Sequence, residues 1–463
     1  MQNPYLESDS LSIPKLREVI RGEVIAPDDA MYDEARAVYY GIDRRPAVII
    51  RPTDADEVAY VVAVARDTGV ELAIRSGGHS ISGHGVSDGG IVLDLSGMKG
   101  LHIDAAKRTV WAQSGLTAGE LTKAVGEHGL AVGFGDAGTV GIGGITLGGG
   151  VGFLVRKLGL TIDSLLAAEV VTADGRLVDV DAESHPDLFW AIRGGGGNFG
   201  VVTRFKFGLA EVDEAFGGML MLPATAEVIK SFVDLAEAAP EELSGIANVM
   251  LAPPMPFLPE EQHGKPVLFG IMVYAGDPAE GEKVLAPFRT LATPLVDMLQ
   301  PMSYPGIYEQ LEEGGGPTPT GFVVRTMFLD SFDQDAAAAI VDRLNASTAN
   351  MAVAQLRVLG GAVARVPDDA TAFAHRGRKL MANVAAMYED GSQAAVHEAW
   401  VDELAGLIER GGGGAYVNFL GDEGADRVRE AYPGPTWDRL RAIKRRYDPT
   451  NLFRVNQNIP PSG

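Results

Sequence analysis

The chain has 463 residues, of which 46% are hydrophobic, and its 62 acidic and 39 basic side chains give a formal net charge of −23 at pH 7. A chain of this length usually exceeds one hydrophobic core, so we expect two domains. The excess of carboxylates would repel a phosphate backbone, which argues against nucleic acid as a partner. The absence of cysteine excludes disulfides, thiolate nucleophiles and cysteine-ligated metals.

Residues 1–24 mix charged and apolar side chains and show no apolar core followed by a small-residue cleavage site. No run in the chain reaches the roughly 18 apolar residues that a bilayer crossing needs. We therefore expect neither a secretory signal nor a membrane partner. The simplest expectation is a cytoplasmic monomer or homodimer.

Between residues 46 and 209, short β-branched runs alternate with helical segments. The run AVIIR is followed by the amphipathic stretch DADEVAYVVAVARDTG and then by ELAIR, GIVLDLS and TVWAQS, which predicts an α+β unit of the size that binds a nucleotide. Thr117 and Glu120 form a capping box that predicts a helix as far as about His128. The stretch AEVVTADGRLVDVD predicts a hairpin with the dipeptide Asp-Gly at its turn.

From about residue 216 to residue 414, strands such as GIANVMLA and PVLFGIMVYAG alternate with longer helices, which predicts an antiparallel sheet covered on one side. Two stretches rich in Gly and Pro, residues 253–266 and 312–321, are predicted to be loops. A strand AYVNFLGDE, a helix TWDRLRAIKRRY and a Pro-rich tail are predicted after residue 414. An ordered tail of this kind must dock on another part of the chain.

Several short stretches match the patterns of known functional motifs but lack the structural context that those motifs require. GVSDG fits the nucleophile-elbow pattern, but Ser87 leads into a predicted strand and not into a helix. GFGDAG and GGGNFG match G-x-G-x-x-G, but neither opens a helix after a first strand with an acidic residue at the spacing of a ribose contact. His79 and His84 lack helical spacing and a third ligand, so we expect no metal site.

Three glycine-dense loops remain: RSGGHSISGHG at residues 75–85, GDAGTVGIGGITLGGGVG at residues 135–152 and RGGGGNFG at residues 193–200. Glycine lets backbone amides approach a ligand without a Cβ atom in the way, and consecutive amides form concave anion sites. Three such loops in one domain predict a large ligand whose pyrophosphate lies along them.

The first two loops, together with GGIVLDLSGM and PDLFWAIRGGGGNFGVVTRFKF, resemble the FAD-binding domain of the vanillyl-alcohol oxidase and p-cresol methylhydroxylase superfamily. The ending, from AYVNFLGDE to YDPTNLFRVNQNIPP, resembles the C-terminal module of its berberine-bridge-enzyme-like branch. The resemblance implies an α+β fold. A bipartite FAD-binding domain of two α/β subdomains is expected over residues 1–210, a substrate domain with a helix-covered antiparallel sheet over 211–413, and a segment returning to the FAD domain over 414–463.

In this family the histidine of RSGGH bonds covalently to the 8α-methyl group of the flavin, which carries over to His79. Many relatives attach the flavin a second time through a cysteine, whose position falls near Ala137 here. Since this chain has no cysteine, the resemblance implies FAD held by a single covalent bond. Near that position lies Val140, where the family places a small side chain in oxidases; valine favours an oxidase, although plain packing also explains it.

The resemblance also implies further cofactor contacts, and reduced flavin needs amide donors near its negative charge. The GGGGN loop and the tail residues Asn456 and Asn458 are candidate donors. Besides His79, the predicted cofactor-binding residues are Arg75, Ser76, Gly77, Gly78, Ser80, His84, Gly138, Thr139, Val140, Gly143, Gly144, Gly149, Leu154, Asp163, Gly196, Asn198, Gly200, Val202, Tyr416, Asn418 and Asn456.

For catalysis, the Y-x-N element places Tyr416 and Asn418 on one face of the predicted strand. A tyrosine with an ordinary pKa near 10 is a poor base at neutral pH. It would need a nearby cation, for which Arg325 and Arg357 are candidates, or it would only orient the substrate.

Some relatives carry a Glu or Gln base in the strand after an HR pair, and the matching position here is about Asn383 or Val384, where no carboxylate stands. Three alternatives stay open: Tyr416 does the proton work, Gln355 or Tyr388 does it, or the substrate arrives as a neutral amine.

The resemblance thus implies an oxidase that transfers hydride from a small cyclic or aromatic alcohol or amine to flavin N5, with O2 as the acceptor and H2O2 as the product. The alternatives are a dehydrogenase or oxidative cyclase of a biosynthetic pathway, a carbohydrate oxidase, and a catalytically degenerate flavin-binding protein.

Overall fold

The computed structural model describes residues 11–255, 258–312, 321–409 and 412–463. Its N-terminal part contains seven helices in these ranges: α1 (Ile13–Val19), α2 (Tyr32–Ala35), α3 (Ala55–Thr68), α4 (Ala118–Gly126), α5 (Ile142–Gly148), α6 (Val155–Leu158) and α7 (Pro186–Ala191). The strands of this part are β1 (Glu23–Ile25), β2 (Val48–Arg51), β3 (Leu72–Arg75), β4 (Ile91–Asp94), β5 (Leu101–Asp104), β6 (Thr109–Gln113), β7 (Leu130–Ala131), β8 (Leu165–Val171), β9 (Leu177–Asp181), β10 (Val201–Gly208) and β11 (Ala210–Glu211).

The first sheet has the strand order β1-β2-β4-β3, in which β2, β4 and β3 run parallel. These three strands are short apolar runs that are buried, as expected for parallel strands covered on both faces. Helix α3 packs its buried valines against them and is capped at its N-terminus by Asp54, whose side chain accepts a hydrogen bond from the Glu57 amide. Its C-terminal cap is Gly69, which has φ +69°.

The second sheet is antiparallel, with the order β5-β6-β10-β8-β9, and β7 pairs with β11 beside it. The predicted hairpin is present as β8 and β9, and Gly175 at its turn has φ +81°. The predicted capping box is also confirmed, because Thr117 and Glu120 exchange side-chain bonds with each other's amides. Helix α4 ends at Gly126, slightly before the predicted end.

The second part contains strands β12 (Ala215–Pro223), β13 (Leu243–Leu251), β14 (Pro266–Tyr274), β15 (Val296–Asp297), β16 (Gln300–Met302), β17 (Gly321–Leu329), β18 (Met351–Val358) and β19 (Leu380–Tyr388). Its helices are α8 (Ala226–Ala238), α9 (Pro278–Leu285), α10 (Gly306–Glu312), α11 (Gln334–Ala346), α12 (Ala362–Arg365) and α13 (Ala394–Ile408). The strand order is β15-β12-β14-β13-β18-β19-β17, with β16 also paired to β12, and every pairing is antiparallel.

Helices α8, α11 and α13 cover one face of this large sheet and share a core with it, which includes Phe232, Ile340 and Leu404. The α+β class and the helix-covered antiparallel sheet are therefore as predicted.

Of the two predicted loops, the one at residues 253–266 contains a short 3₁₀ turn at Glu260–Gln262, and its residues 256–257 lie outside the described ranges. The loop predicted at 312–321 falls almost wholly on residues 313–320, which also lie outside them.

The C-terminal segment carries helices α14 (Ala425–Ala431) and α15 (Pro435–Tyr447) and packs back on the N-terminal part through Leu440 and Ile459. The predicted strand AYVNFLGDE is wrong. Residues 415–420 form no strand and contain a 3₁₀ turn at Val417–Phe419. The reason is that the segment lies against the glycine loops, where its polar side chains bond to loop atoms in place of a strand ladder.

The longest helix in the described ranges is α13, with 15 residues. Across those ranges, no helix combines the length and the apolar character that a bilayer crossing requires.

Candidate active site

A cavity of about 350 Å³ lies where the three glycine loops meet the C-terminal segment. The structure brings most of the predicted cofactor and catalytic residues together in its wall. Those that line it are Arg75, Ser76, Gly77, Gly78, His79, Ser80, His84, Val140, Gly143, Gly144, Gly196, Asn198, Gly200, Val202, Tyr416, Asn418 and Asn456.

The glycines let two of these loops cross backbone to backbone. A Cβ atom at Gly141 would lie 2.2 Å from the Gly77 amide nitrogen, so no larger residue fits at this crossing. By contrast, a Cβ atom at Gly144 or Gly197 would meet nothing within 4 Å. The backbone at these two positions therefore borders open space, as a cradle for a bound group requires.

His79 is held in a defined orientation at the cavity wall. Its ring stacks on Tyr39, with centroids 4.1 Å apart and planes inclined by 21°, and it hydrogen-bonds the backbone of Thr139. Burial lowers the pKa of His79 to about 4, although the Asp136 carboxylate and the Thr139 bond act in the opposite direction. The imidazole is therefore neutral at pH 7.

His84 belongs to the same loop. Its amide donates to the Ser80 hydroxyl at 3.2 Å, and Arg44 donates to the carbonyl oxygens of Gly83 and Val86. Burial lowers the pKa of His84 to about 4 as well, assisted by the Arg44 charge. The loop thus presents two neutral imidazoles and carries no free charge of its own.

Arg75, at the end of β3, is buried and its charge is compensated. One of its terminal nitrogens donates to the Asp94 carboxylate at 2.8 Å and to the Ala35 carbonyl oxygen at 2.5 Å. Ser76 is also engaged, because its hydroxyl donates to the Ser114 carbonyl at 2.6 Å and accepts from the Gly143 amide. Both residues fix the loop where it leaves the sheet.

Asn198 joins the third glycine loop to the tail. Its side-chain amide donates to the Gln457 carbonyl at 3.1 Å, and its oxygen accepts from the Ile459 amide at 2.9 Å. Behind it lies a fully buried ion pair between Lys444 and Asp448, 2.7 Å apart, in which Lys444 also donates to the Asn198 carbonyl oxygen. The tail is therefore docked, as its sequence requires if it is to be ordered.

Sequence reasoning missed this ion pair. Lys444 and Asp448 stand four residues apart in a highly charged helix, a pattern that is usual for a solvated surface. Their complete burial depends on how the helix packs, which no local pattern shows. Burial lowers the pKa of Lys444, against the opposing influence of Asp448.

Tyr416 is fully buried, and its hydroxyl oxygen accepts hydrogen bonds from the Gly150 amide and the Asn418 side chain, both at 2.9 Å. Burial raises the pKa of Tyr416, and the opposing bonds and the charge of Arg357 do not offset it. The side chain is therefore a neutral phenol at pH 7. Arg325, the other candidate cation, is occupied by ion pairs with acidic side chains at the protein surface.

The remaining predicted residues are not among those that line the cavity: Gly138, Thr139, Gly149, Leu154, Asp163, Gln355 and Tyr388. Asp163 accepts two hydrogen bonds from Arg376, at 2.7 and 2.8 Å, and so forms an internal ion pair. Leu154 is fully buried in an apolar cluster. Gly149 packs against the Tyr416 ring, and Gly138 accepts a bond from the amide of Gly119.

Gln355 and Tyr388 do not reach the cavity as proton acceptors. The Gln355 amide oxygen accepts from Arg357 and Asn383, and its nitrogen donates to Asn248 at 2.8 Å. Tyr388 stacks on His397 of α13, with ring centroids 4.7 Å apart, on the helix-covered face of the sheet. Both are thereby removed from the proton-transfer alternatives.

Several residues of the cavity wall were absent from the prediction, among them Tyr39, Tyr40 and Asp136. Tyr40 packs against Phe322 of β17, with ring centroids 4.7 Å apart, and so links the two parts of the chain. Asp136 is the single acid of the glycine-rich stretch GFGDAG, and no motif in the sequence marks it as functional. The side chains of Tyr39 and Tyr40 come from a charged segment that carries no motif.

The chemistry of this cavity fits an FAD. Glycine backbone borders open space at two positions, a neutral imidazole stands at the wall, and the buried side-chain oxygens of Asn456 and Asn458 have no hydrogen-bond partner in the described residues. Unpaired buried amide oxygens of this kind call for a donor from a bound group. His79, Asn198 and Asn456 are the side chains placed to hold it.

Comparison with known proteins agrees with this site. Residues 46–181 match the model of the FAD binding domain family, and residues 415–460 match the family described as berberine and berberine like. The chain is 32% identical over 461 residues to (R)-6-hydroxynicotine oxidase of Paenarthrobacter nicotinovorans, covering 96% of this chain and 98% of that protein. It is 28% identical to xylooligosaccharide oxidase of Thermothelomyces thermophilus, with 90% of this chain and 88% of that one covered.

Solved structures show the same fold. The crystal structure of 6-hydroxy-D-nicotine oxidase from Arthrobacter nicotinovorans superimposes with a TM-score of 0.84 at 28% identity, covering 96% of this chain and 98% of the other. The berberine-bridge-enzyme-like protein 1 of Physcomitrella patens gives a TM-score of 0.85 at 24% identity, over 98% and 100% of the two chains. The glycine-lined cavity, the family matches and the full-length similarity lead to one conclusion: the chain is an enzyme that belongs to the berberine-bridge-enzyme-like family of FAD-linked oxidoreductases.

Proposed function

We propose that this protein is an oxidase that carries FAD through a single covalent bond to His79 and oxidises a small cyclic or aromatic alcohol or amine. Bound FAD supplies the redox chemistry, since it takes up a hydride from the substrate carbon and passes the electrons to O2, which yields H2O2. The observation that carries the proposal is the state of His79, which is neutral and held in the cavity wall by Tyr39 and Thr139.

A neutral imidazole suits covalent attachment because the nitrogen that does not donate to Thr139 retains its lone pair. Stacking on Tyr39 restricts rotation of the ring, which favours attack by proximity and orientation. At the position of the second attachment in doubly linked relatives, this chain has Ala137, which also lines the cavity. The proposal therefore includes one bond and not two.

Val140 supports an oxidase over a dehydrogenase. It lines the cavity in the loop that carries Ala137, and the family resemblance associates a small side chain at this position with oxidases. Tyr416, as a neutral phenol that already accepts two hydrogen bonds, is suited to donate its own proton in a hydrogen bond that orients a substrate. It is not suited to remove a proton.

The attachment is tested by denaturing the yellow protein in acid, washing it, and measuring the mass of the peptide that contains His79. We expect that peptide to carry the mass of the flavin group, and His79→Ala to release all its colour into the wash. A bare peptide mass from protein known to hold FAD contradicts the covalent bond.

The reaction is tested by following the flavin absorbance of the anaerobic holoenzyme with a panel of cyclic and aromatic alcohols and amines, including 6-hydroxynicotine. We expect at least one compound to bleach the flavin, and admission of air to restore the colour with release of H2O2. Xylobiose is tested beside the panel, and bleaching by this carbohydrate alone indicates a carbohydrate oxidase. Slow recovery in air indicates a dehydrogenase, and no bleaching by any compound indicates a flavin-binding protein without this activity.

A further inference from the structure

An ion pair crosses from the cofactor loop to the substrate sheet at the cavity wall. Asp136, in the second glycine loop, accepts a hydrogen bond from Arg357 of β18 at 2.5 Å. The guanidinium is held from behind, because Arg357 also donates to the Gln355 amide oxygen at 2.7 Å and lies 5.2 Å from the centre of the Phe419 ring. The Asp136 carboxylate is therefore fixed by a cation that has little freedom to move.

The two partners differ in what they present to the cavity. The Arg357 side chain is 4% exposed, whereas 29% of the Asp136 side chain is accessible. Asp136 is the one carboxylate among the described residues that line the cavity, and the other charged residue there, Arg75, is paired with Asp94. A ligand that enters consequently meets a carboxylate oxygen before it meets a cation.

We propose that Asp136, positioned by Arg357, binds the nitrogen of an amine substrate and gives this enzyme a preference for amines over carboxylic acids. This inference rests on the proposed oxidase function and narrows its substrate class. A carboxylate accepts a charge-assisted hydrogen bond from an ammonium or amine N–H group and repels an anionic ligand.

The same carboxylate suits the chemistry of amine oxidation. The reacting form is the neutral amine, so a substrate that arrives as an ammonium first releases one proton to water. Bound FAD would then take the electron pair of the C–H bond as hydride, while the nitrogen lone pair forms a C=N bond and the substrate becomes an iminium cation. No proton acceptor is needed in that step, which agrees with Tyr416 being a neutral phenol that is not suited to remove a proton. A fixed negative charge beside the nitrogen stabilises the positive charge that develops.

The test uses ligands that bind but cannot be oxidised, because their polar group sits on a carbon without hydrogen. Cumylamine, cumyl alcohol and benzoate are titrated into the holoenzyme, and the shift in flavin absorbance gives a dissociation constant for each. We expect cumylamine to bind the unmodified enzyme most tightly and benzoate most weakly. Asp136→Asn is expected to weaken cumylamine binding by about tenfold or more and to leave benzoate binding unchanged or tighter.

Asp136→Glu keeps the charge and is expected to retain the preference for the amine, so the proposal remains testable if Asp136→Asn folds poorly. Asp297→Asn is the matched control: Asp297 is similarly exposed, at 32%, pairs with Arg289 at 2.7 Å and lies outside the cavity wall. It is expected to change none of the three constants.

The proposal is overturned if benzoate binds more tightly than cumylamine, if none of the three ligands binds, or if Asp136→Asn leaves cumylamine binding unchanged while it retains its flavin. Failure of the proposed oxidase function is a separate result, since it shows as a lack of flavin bleaching by oxidisable compounds. The titrations involve no turnover and do not depend on it.

Discussion

Tyr416 illustrates how surroundings decide the chemistry of a single side chain. Its ring is fully buried against Phe373 and Phe419, and its oxygen is the acceptor for the Gly150 amide and the Asn418 side chain. Because a phenolate in this position would lose its hydration, burial raises the pKa of Tyr416 and keeps the group protonated. The Y-x-N motif alone does not distinguish this state from that of a base.

Replacing Tyr416 by Phe removes the acceptor of two hydrogen bonds while it keeps the ring. We expect the free energy of unfolding in urea to fall by about 1–3 kcal/mol, since the Gly150 amide is left buried and unpaired. We also expect slower anaerobic flavin reduction by whichever panel compound is active. If the variant keeps its flavin and reduces it at the original rate, Tyr416 has no part in the reaction.

At the scale of elements, α6 is joined to the end of α8 by one buried side chain. Arg156 of α6 donates to the carbonyl oxygens of Ala236, Ala239 and Leu243, at 2.8, 2.9 and 3.0 Å. The carbonyls of Ala236 and Ala239 lie in and just after the last turn of α8, where backbone acceptors lack partners within the helix, and Leu243 is the first residue of β13. The cation therefore satisfies the C-terminus of α8 and ties the substrate domain to the cofactor domain.

Arg156→Met is expected to lower the free energy of unfolding by about 3 kcal/mol, because it leaves several buried carbonyl groups without a donor. The measurement is urea unfolding followed by far-UV circular dichroism. Arg365→Met is the control, since Arg365 forms an exposed pair with Glu241 nearby and its loss is expected to have little effect. Equal stability of the two variants contradicts a structural role for Arg156.

For the whole molecule, buried histidines make stability depend on pH. His375 is 6% exposed, and burial lowers its pKa to about 4, with help from the Arg378 charge. Between pH 6.5 and about 4 the unfolded chain therefore binds a proton at this residue that the folded chain does not bind. Stability consequently falls as the pH decreases through this window, by about 1.4 kcal/mol per pH unit for that one proton.

His375→Phe tests this dependence, because a phenyl ring preserves the stacking on Phe328, whose centroid lies 4.5 Å from that of the imidazole. We expect urea unfolding at several pH values between about 4 and 6.5 to give a slope reduced by about one proton relative to the unmodified protein. The absolute stability falls as well, since backbone groups of Glu430 and Ala431 lose a partner. An unchanged slope shows that His375 does not titrate as described.

Much of the fold and of the cofactor site was predictable because the signals are local. The Thr117 capping box and the Asp-Gly hairpin each involve residues a few positions apart, and α4 and the β8–β9 pair form as predicted. The three glycine loops are likewise continuous stretches, and they line one cavity together with His79. The strand predicted at residues 415–423 failed because its polar side chains are used by the loops it contacts.

The sequence by itself thus determined the class of the fold, the three loops that surround the cofactor and the histidine at their edge, since each is specified within a short segment. Only the tertiary structure decided which charges are paired and which are buried. Asp136 and Arg357 are 221 positions apart, and Lys444 becomes fully buried through contacts with Asn198. Such pairs depend on which elements the fold brings together, and the spacing of residues along the sequence does not show which distant residues become neighbours in space.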